Sequence, residues 1–369
     1  SGLRKIYKMT LAEAVAFIRP VVRAGQAYHV GGPPRAHIKL NQNESPFDLP
    51  ADLKRELIER FWSEPFNRYP LIHPEPLTHA LGIHMGWDAS GILVGNGSNE
   101  LMSTVMQVLV STDSAVVLPR PMFSFYARLA ELSEARRISV PPRADLSFDA
   151  KAIAQMVHDH NAALVVLTTP NNPTGLAMTL DDVLAVLEAA PGFVLVDEAY
   201  GEFNPEESAL SVLKKYPNLL ILRTFSKAFG LAGLRLGYLV GHPNVIHEVM
   251  KARVPFMVDR LAEMTALALL ERRELIDERI RHMKYSTQWL SEMLDRIPGV
   301  TTMPSQANFV LFRTQMEPRP LHDALVHHGI LVRSMDGYPE LQGYLRVNAG
   351  TKKENNAFIR ILTDVLGKG

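Results

Sequence analysis

Thr224-Phe225-Ser226-Lys227-Ala228-Phe229-Gly230 puts a lysine after two hydroxyl side chains and just beyond an apolar run, and the adjoining Leu231-Ala232-Gly233-Leu234-Arg235-Leu236-Gly237 adds an arginine. A lysine in that setting can act as a Schiff-base amine, because nearby positive charge lowers its ordinary pKa of about 10.4 and frees the nucleophilic form. Asp197-Glu198-Ala199-Tyr200 follows the apolar FVLV. A carboxylate at the end of a buried strand is costly unless it meets a cation, so Asp197 is expected to have a specific partner. Gly95-Asn96-Gly97-Ser98-Asn99-Glu100 precedes an amphipathic segment with Leu101, Val105, Val108 and Leu109 on one side. Glycines ahead of a helix start leave N–H groups and a positive dipole end open, which suits a phosphate as well as an ordinary turn and cap. Thr169-Pro170-Asn171-Asn172-Pro173-Thr174-Gly175 is a polar loop in which either amide could serve a ligand, or both could serve the turn.

These four segments need a scaffold that brings them together. Strand-like apolar runs occur at Ala115–Leu118, Ala163–Thr168, Phe193–Val196, Leu219–Arg223 and Leu236–Val240, with helical patterns between most of them. The runs are nearly continuous (LVVL, FVLV, LLIL), as burial under helices on both faces requires. The expected fold is α/β with a mainly parallel sheet, whose strand C-termini are where such sheets bind ligands. The helix Asp181–Glu188 is bounded by Thr179 as a cap and by Pro191-Gly192. From Val258 the texture becomes a long charged helical stretch, followed by short strands at Asn308–Phe312 and Tyr344–Val347 and a closing helix. The expected organisation is an arm over 1–45, a large domain over 46–257 and a smaller α+β domain over 258–369.

Composition narrows the chemistry. The 369 residues hold 39 Lys+Arg against 39 Asp+Glu, no cysteine, and 47% hydrophobic residues. Balanced charge disfavours nucleic acid and anionic membranes as partners, and the missing cysteines remove disulfides, thiolate metal sites and cysteine nucleophiles. Apolar runs such as Ala163–Leu167 are too short to span a bilayer, and Leu3–Thr10 lacks the apolar stretch of a secretion signal. A cytoplasmic protein is expected. His158 and His160, and the adjacent His327-His328, do not face one another on a helix and have no accompanying acid cluster, so no metal is expected. The GxGxxG fingerprint of dinucleotide enzymes fails because Glu100 takes its sixth position.

Taken together, the motifs resemble the fold-type I pyridoxal 5′-phosphate (PLP) enzymes, within them the class II aminotransferases, and especially the histidinol-phosphate aminotransferase group. The resemblance runs in order from about Ile38 to Gly350 through LNQNESP, RYP, GNGSNELM, PNNPTG, DEAYGEF, TFSKAFGLAGLRLGY, ANFVLF and YLRVNAGT. It implies a large domain with a mostly parallel central sheet sandwiched by helices, plus a smaller α+β domain. It further implies that Lys227 binds PLP as a Schiff base and shuttles a proton, that Asp197 pairs with the ring nitrogen, and that Asn172 and Tyr200 contact the phenolic oxygen. The phosphate would be held by Ser98 and Asn99 at the helix start, by Thr224 and Ser226, and by Arg235. Tyr69 in RYP resembles a tyrosine that reaches the phosphate of the other subunit in a homodimer. Phe123 stands where the family usually stacks a tyrosine on the ring, keeping the stack and losing the hydroxyl.

For substrate, the resemblance implies that Arg346 binds an α-carboxylate and that Arg333 meets a distal phosphate or carboxylate, with Asn43 and Tyr28 also near the substrate. The expected reaction moves an amino group between histidinol phosphate and the glutamate/2-oxoglutarate pair, in two ping-pong halves. An aromatic amino acid aminotransferase or a phosphothreonine-type decarboxylase shares the same cofactor motifs. Phe256-Met257 replaces the group's usual polar PYN-like sequence and counts against histidinol phosphate. A PLP-binding transcriptional regulator would need an added DNA-binding domain, and the roughly 35 residues before the first motif have no helix-turn-helix pattern.

Overall fold

The computed structural model describes residues 9–27 and 36–367. Tyr28 lies outside the described residues. The strands in chain order are β1 (Ile38–Lys39), β2 (Ile92–Gly95), β3 (Ala115–Pro119), β4 (Arg136–Val140), β5 (Leu164–Thr168), β6 (Phe193–Asp197), β7 (Leu219–Thr224), β8 (Gly237–Val240), β9 (Thr301–Thr302), β10 (Phe309–Arg313), β11 (Ile330–Leu331), β12 (Arg333–Ser334) and β13 (Tyr344–Asn348).

Seven strands form the main sheet in the order β2-β8-β7-β6-β5-β3-β4. The five central apolar runs read from the sequence all fall in it. Strands β3 to β7 are mutually parallel where they pair, and β8 runs antiparallel to both neighbours. The reversal has a local cause. A parallel return needs a crossover of a dozen or more residues, usually a helix, whereas residues 225–236 fold as a loop holding only the short turn Ala232–Leu234. That loop is the segment carrying Lys227 and Arg235. The register then aligns Gly237 with both Gly95 and Thr224, so the ends of β2 and β7 meet at one point.

Two strands of the main sheet escaped the sequence reading, as did the two-residue strands β1, β9, β11 and β12 outside it. Strand β2 (ILVG) is only four residues long, and β4 (RRISV) is a largely exposed edge strand without an apolar run. The helix Leu180–Ala189 matches its expected boundaries, with Thr179 and Asp182 closing a capping box. The charged stretch after Val258 is two helices, Arg260–Leu270 and Arg273–Asp295, parted at Glu271-Arg272.

A four-stranded antiparallel sheet, β12-β13-β10-β9, forms a second layer, and β1 pairs in parallel with β11. The side-chain interior separates accordingly. Ala262, Ala266, Ile276 and Met283 belong to the large core under the main sheet, while Leu290, Leu294, Phe312, Val347, Phe358 and also Leu40 form a second core. The packing therefore changes partner within the Arg273–Asp295 helix, some thirty residues after the expected boundary at 257/258. The cause is that the Arg260–Leu270 helix and the first half of its successor are amphipathic toward the main sheet. Leu40 belongs to the second core because β1 adds its strand to β11.

Candidate active site

One cavity of about 460 Å³ opens at the C-terminal ends of β5, β6 and β7. Its lining includes Asn43, Ser98, Asn99, Phe123, Asn172, Asp197, Tyr200, Thr224, Ser226, Lys227, Arg235, Arg333 and Arg346. Tyr69 is absent from that lining. It is 77% exposed and stacks on Phe256 at 4.5 Å between ring centroids. Phe256, expected near the substrate, likewise lies outside the cavity of its own chain.

The lysine stands against the backbone of LNQNESP. Lys227 Nζ donates to the Gln42 carbonyl at 2.9 Å and lies 5.7 Å from the centre of the Tyr200 ring. Burial above all, together with Arg346 and Arg235 and against the opposing charge of Glu44, lowers its pKa to about 7. The amine is therefore a nucleophile near neutrality.

Asp197 is buried and forms no ion pair among the described residues. The buried cation close by, Arg223, is committed elsewhere: it donates to Glu198 at 2.6 Å and 3.0 Å and pairs with Glu202 at 3.7 Å. Asp197 accepts from the Tyr126 hydroxyl at 2.7 Å and from the Ala199 amide at 3.0 Å. Burial raises its pKa to about 6, with those two bonds opposing the shift. A carboxylate so placed fits a cation arriving from a ligand.

Opposite lies a site suited to an anion. The helix Gly97–Leu109 has no side-chain cap, because the Asn96 amide donates to the Met257 carbonyl at 3.1 Å. Ser98 and Asn99 of its first turn line the cavity, and a helix start, with its free N–H groups, is a suitable setting for a phosphate. Gly97 has φ +75°, and a Cβ there would sit 2.5 Å from Nη2 of Arg235. Gly237 is as crowded, its Cβ position falling 2.5 Å from the Ser98 nitrogen. The two glycines let the arginine and the helix start converge. Gly97→Ala should leave the fold intact, costing about 1–2 kcal/mol for the left-handed backbone. By displacing the Arg235 guanidinium, it should weaken phosphate-bearing ligands roughly tenfold. Isothermal titration alongside a thermal melt separates the two effects.

The remaining residues hold one another in place. Asn171 is taken up by the turn, donating to the Pro121 carbonyl at 2.8 Å and to Thr174 at 3.0 Å, which leaves Asn172 as the amide in the cavity. Asn172 Oδ1 accepts from Arg346 Nη1 at 2.5 Å, and Arg346 Nη2 donates to the Asn41 carbonyl at 3.2 Å. Arg333 is the cross-strand partner of Arg346, placing two guanidinium side chains at neighbouring positions. Asn43, at φ 55°, donates from its side-chain Nδ2 to the Tyr200 hydroxyl at 2.9 Å, while its backbone N–H donates to Asn348 Oδ1 at 3.0 Å. Burial raises the Tyr200 pKa to about 12, so the phenol keeps its proton. Tyr126, Asn348 and the carbonyls of Asn41 and Gln42 were not legible as site groups. Tyr126 reads as a core aromatic at the start of a helix, and backbone carbonyls carry no sequence signal.

One small molecule complements all three features. PLP has an aldehyde for the amine, a ring nitrogen that becomes cationic opposite a carboxylate, and a phosphate for the helix start. The sheet topology and this donor set define the class as the PLP-dependent enzymes of fold type I. The sequence profile of aminotransferase class I and II matches residues 35–362, and the chain belongs to that family. It is 38% identical over 345 residues to the histidinol-phosphate aminotransferase of Chlorobaculum tepidum, covering 94% of this chain and 99% of the relative. With the same enzyme of Prosthecochloris aestuarii it shares 40% over 350 residues, 95% and 98% of the two chains. The crystal structure of histidinol-phosphate aminotransferase from Sinorhizobium meliloti in complex with PLP superposes with a TM-score of 0.87 at 25% identity, covering 96% of this chain and 98% of that one.

Proposed function

We propose that the chain transfers an amino group between histidinol phosphate and the glutamate/2-oxoglutarate pair, using PLP. The observation that carries the reading is the cross-strand pair Arg333 and Arg346 beside the buried amine of Lys227. It offers two cationic positions to a substrate with an anion at a distance from its amino group, and the relatives above bear the same name.

When bound, PLP supplies an electron-accepting ring for the charge released as a substrate α-proton leaves. Asp197 stays ionised and holds the proton on the ring nitrogen. Lys227 Nζ takes the α-proton as general base and returns it as general acid, a role suited to a pKa near neutrality. Ser98, Asn99, Thr224, Ser226 and Arg235 would hold the phosphate, Asn172 and Tyr200 would donate toward the phenolic oxygen, and Phe123 would stack on the ring. Arg346 grips the α-carboxylate of glutamate through its planar fork, and Arg333 meets the distal phosphate or carboxylate. Asn43 supports the site through Tyr200.

The same reading includes a homodimer. Ile58, Trp62, Phe66, Tyr69, Leu71 and Ile72 are exposed apolar side chains within one short stretch, and Arg260 fastens that stretch by donating to the carbonyls of Pro65 and Tyr69. A second copy would cover the patch and carry Tyr69 toward its neighbour's phosphate site. We read the two cores as a cofactor domain and a smaller substrate-side domain, and we take the protein to be cytoplasmic. Among the described residues no helix is long and apolar enough to cross a membrane.

Single-turnover assays with histidinol phosphate, phenylalanine and tyrosine as donors test the substrate. Histidinol phosphate should react fastest and yield glutamate from 2-oxoglutarate, whereas release of carbon dioxide from phenylalanine or tyrosine, the donors with a carboxylate, would make the protein a decarboxylase. Arg333→Ala should lower kcat/KM for histidinol phosphate about a hundredfold, the size of a lost charge-assisted bond pair, and spare phenylalanine. Equal losses for both donors would remove Arg333 from phosphate recognition.

A further inference from the structure

The acid that meets the ring nitrogen does not stand alone. We propose that Tyr126 is a positioning residue for the cofactor: its hydroxyl fixes the Asp197 carboxylate, in orientation and in charge, for the ring nitrogen. The inference rests on the PLP reading given above.

Tyr126 is fully buried at the start of the helix Phe125–Leu132, and its hydroxyl lies 2.7 Å from Asp197 Oδ2. The other oxygen, Oδ1, accepts the Ala199 amide at 3.0 Å. Two donors on two different oxygens pin the plane of the carboxylate, which otherwise turns freely about its last torsion. Each oxygen keeps further acceptor capacity, so fixing the plane also fixes where that capacity points.

The helix that carries Tyr126 also sets Phe123. The Tyr126 amide donates to the Phe123 carbonyl at 3.2 Å, and the two rings meet edge to face at 6.5 Å and 90°. One turn of chain thus carries the ring expected to stack on the cofactor and the hydroxyl that holds its counter-ion. The hydroxyl is also a dependable donor: burial and the Asp197 charge push its pKa well above the phenol range. In return, its bond favours the ionised carboxylate against the cost of burial. A core tyrosine needing only an acceptor would be served by any carbonyl; a bond to a cavity carboxylate that has no ion-pair partner among the described residues ties it to cofactor electrostatics.

The test compares PLP with 1-deazapyridoxal phosphate, in which carbon replaces the ring nitrogen, binding to wild-type protein and to Tyr126→Phe. Dissociation constants come from titration of cofactor-free protein, with thermal melts to confirm folding. Wild-type protein should bind PLP more tightly than the analogue. Tyr126→Phe should weaken PLP roughly tenfold, the effect of one hydrogen bond to a charged group, and leave the analogue unchanged. Equal weakening of both ligands would make Tyr126 a packing residue, and no change in either would remove it from the site; both results overturn the proposal. Failure of wild-type protein to bind PLP at all would instead overturn the cofactor reading, so the two failures are distinguishable. If Tyr126→Phe unfolds, Asp197→Asn in the otherwise native chain serves as second variant: it should erase the preference for PLP over the analogue, and a preserved preference would sink the idea.

Discussion

Lys227→Ala is expected to lower turnover by about 10⁴-fold or more, because on the function proposed above one change removes both the amine that captures the cofactor and the base that moves the substrate proton. Borohydride treatment followed by mass spectrometry checks the first role: wild-type protein should gain a reduced adduct on Lys227, and the variant should gain none. A reducible adduct persisting in Lys227→Ala would sink the assignment. The loss should not come from unfolding. The folded protein lowers the Lys227 pKa from 10.5 to about 7, chiefly by burial. The folded state thus binds this proton less tightly than the unfolded chain, so the lysine's contribution to stability is present above about pH 10.5 and is lost as pH falls through about 7. Alanine carries no such dependence. Near pH 7 the cofactor-free variant should melt no lower than cofactor-free wild type, even though a hydrogen bond to the Gln42 carbonyl is gone.

Asp197→Asn should produce effects of opposite sign with and without cofactor. With PLP, and on the function proposed above, removing the charge that opposes the ring nitrogen leaves a buried cation without its counter-ion, which costs about 3–5 kcal/mol. Affinity should therefore fall by about two to four orders of magnitude, and turnover with it. Without cofactor the carboxylate is a liability. Burial raises its pKa from 3.8 to about 6, so the folded state binds the proton more tightly than the unfolded chain. The resulting stability is present below about pH 3.8 and is lost as pH rises through about 6. Above pH 7 the cofactor-free asparagine variant should therefore melt higher than wild type, and this advantage should shrink by pH 5. Adding PLP should reverse the order. Thermal melts at pH 5 and pH 8, with and without PLP, read all four conditions, and a variant less stable than wild type at pH 8 without cofactor would contradict the account.

Both predictions turn on residues whose types were visible in the chain and whose environments were not. The motif around Lys227 marked a reactive amine, yet its surroundings come from distant segments: burial and Arg346 on β13 lower its pKa, and the Gln42 carbonyl just after β1 accepts its hydrogen bond. Asp197 was expected to have a partner. Arg223, the neighbouring buried cation, turned out to pair with Glu198 and Glu202, and Tyr126 took the hydrogen bond instead. The loop Thr169–Gly175 left two amides open, and only packing decided that Asn171 belongs to the turn and Asn172 to the cavity. The charged stretch after Val258 showed helical periodicity but gave no sign of the core that each half would join.

The sequence by itself determined the local chemistry. Apolar runs made the central strands, a threonine and an aspartate capped the Leu180–Ala189 helix, and spaced motifs carried the lysine, the acid and the arginines, because these depend on residues close together in the chain. The tertiary structure decided what those groups meet. Strand β8 turned back antiparallel because the loop before it carries no crossover helix, and its register with β2 and β7 brought Arg235 beside Gly97. Pairing of β1 with β11 carried Asn43 to Tyr200, and the β12-β13 register set Arg333 opposite Arg346. Burial, charge and hydrogen-bond partners are properties of such encounters, which is why the cavity, its shifted pKa values and the part played by Tyr126 emerge only when the chain is folded.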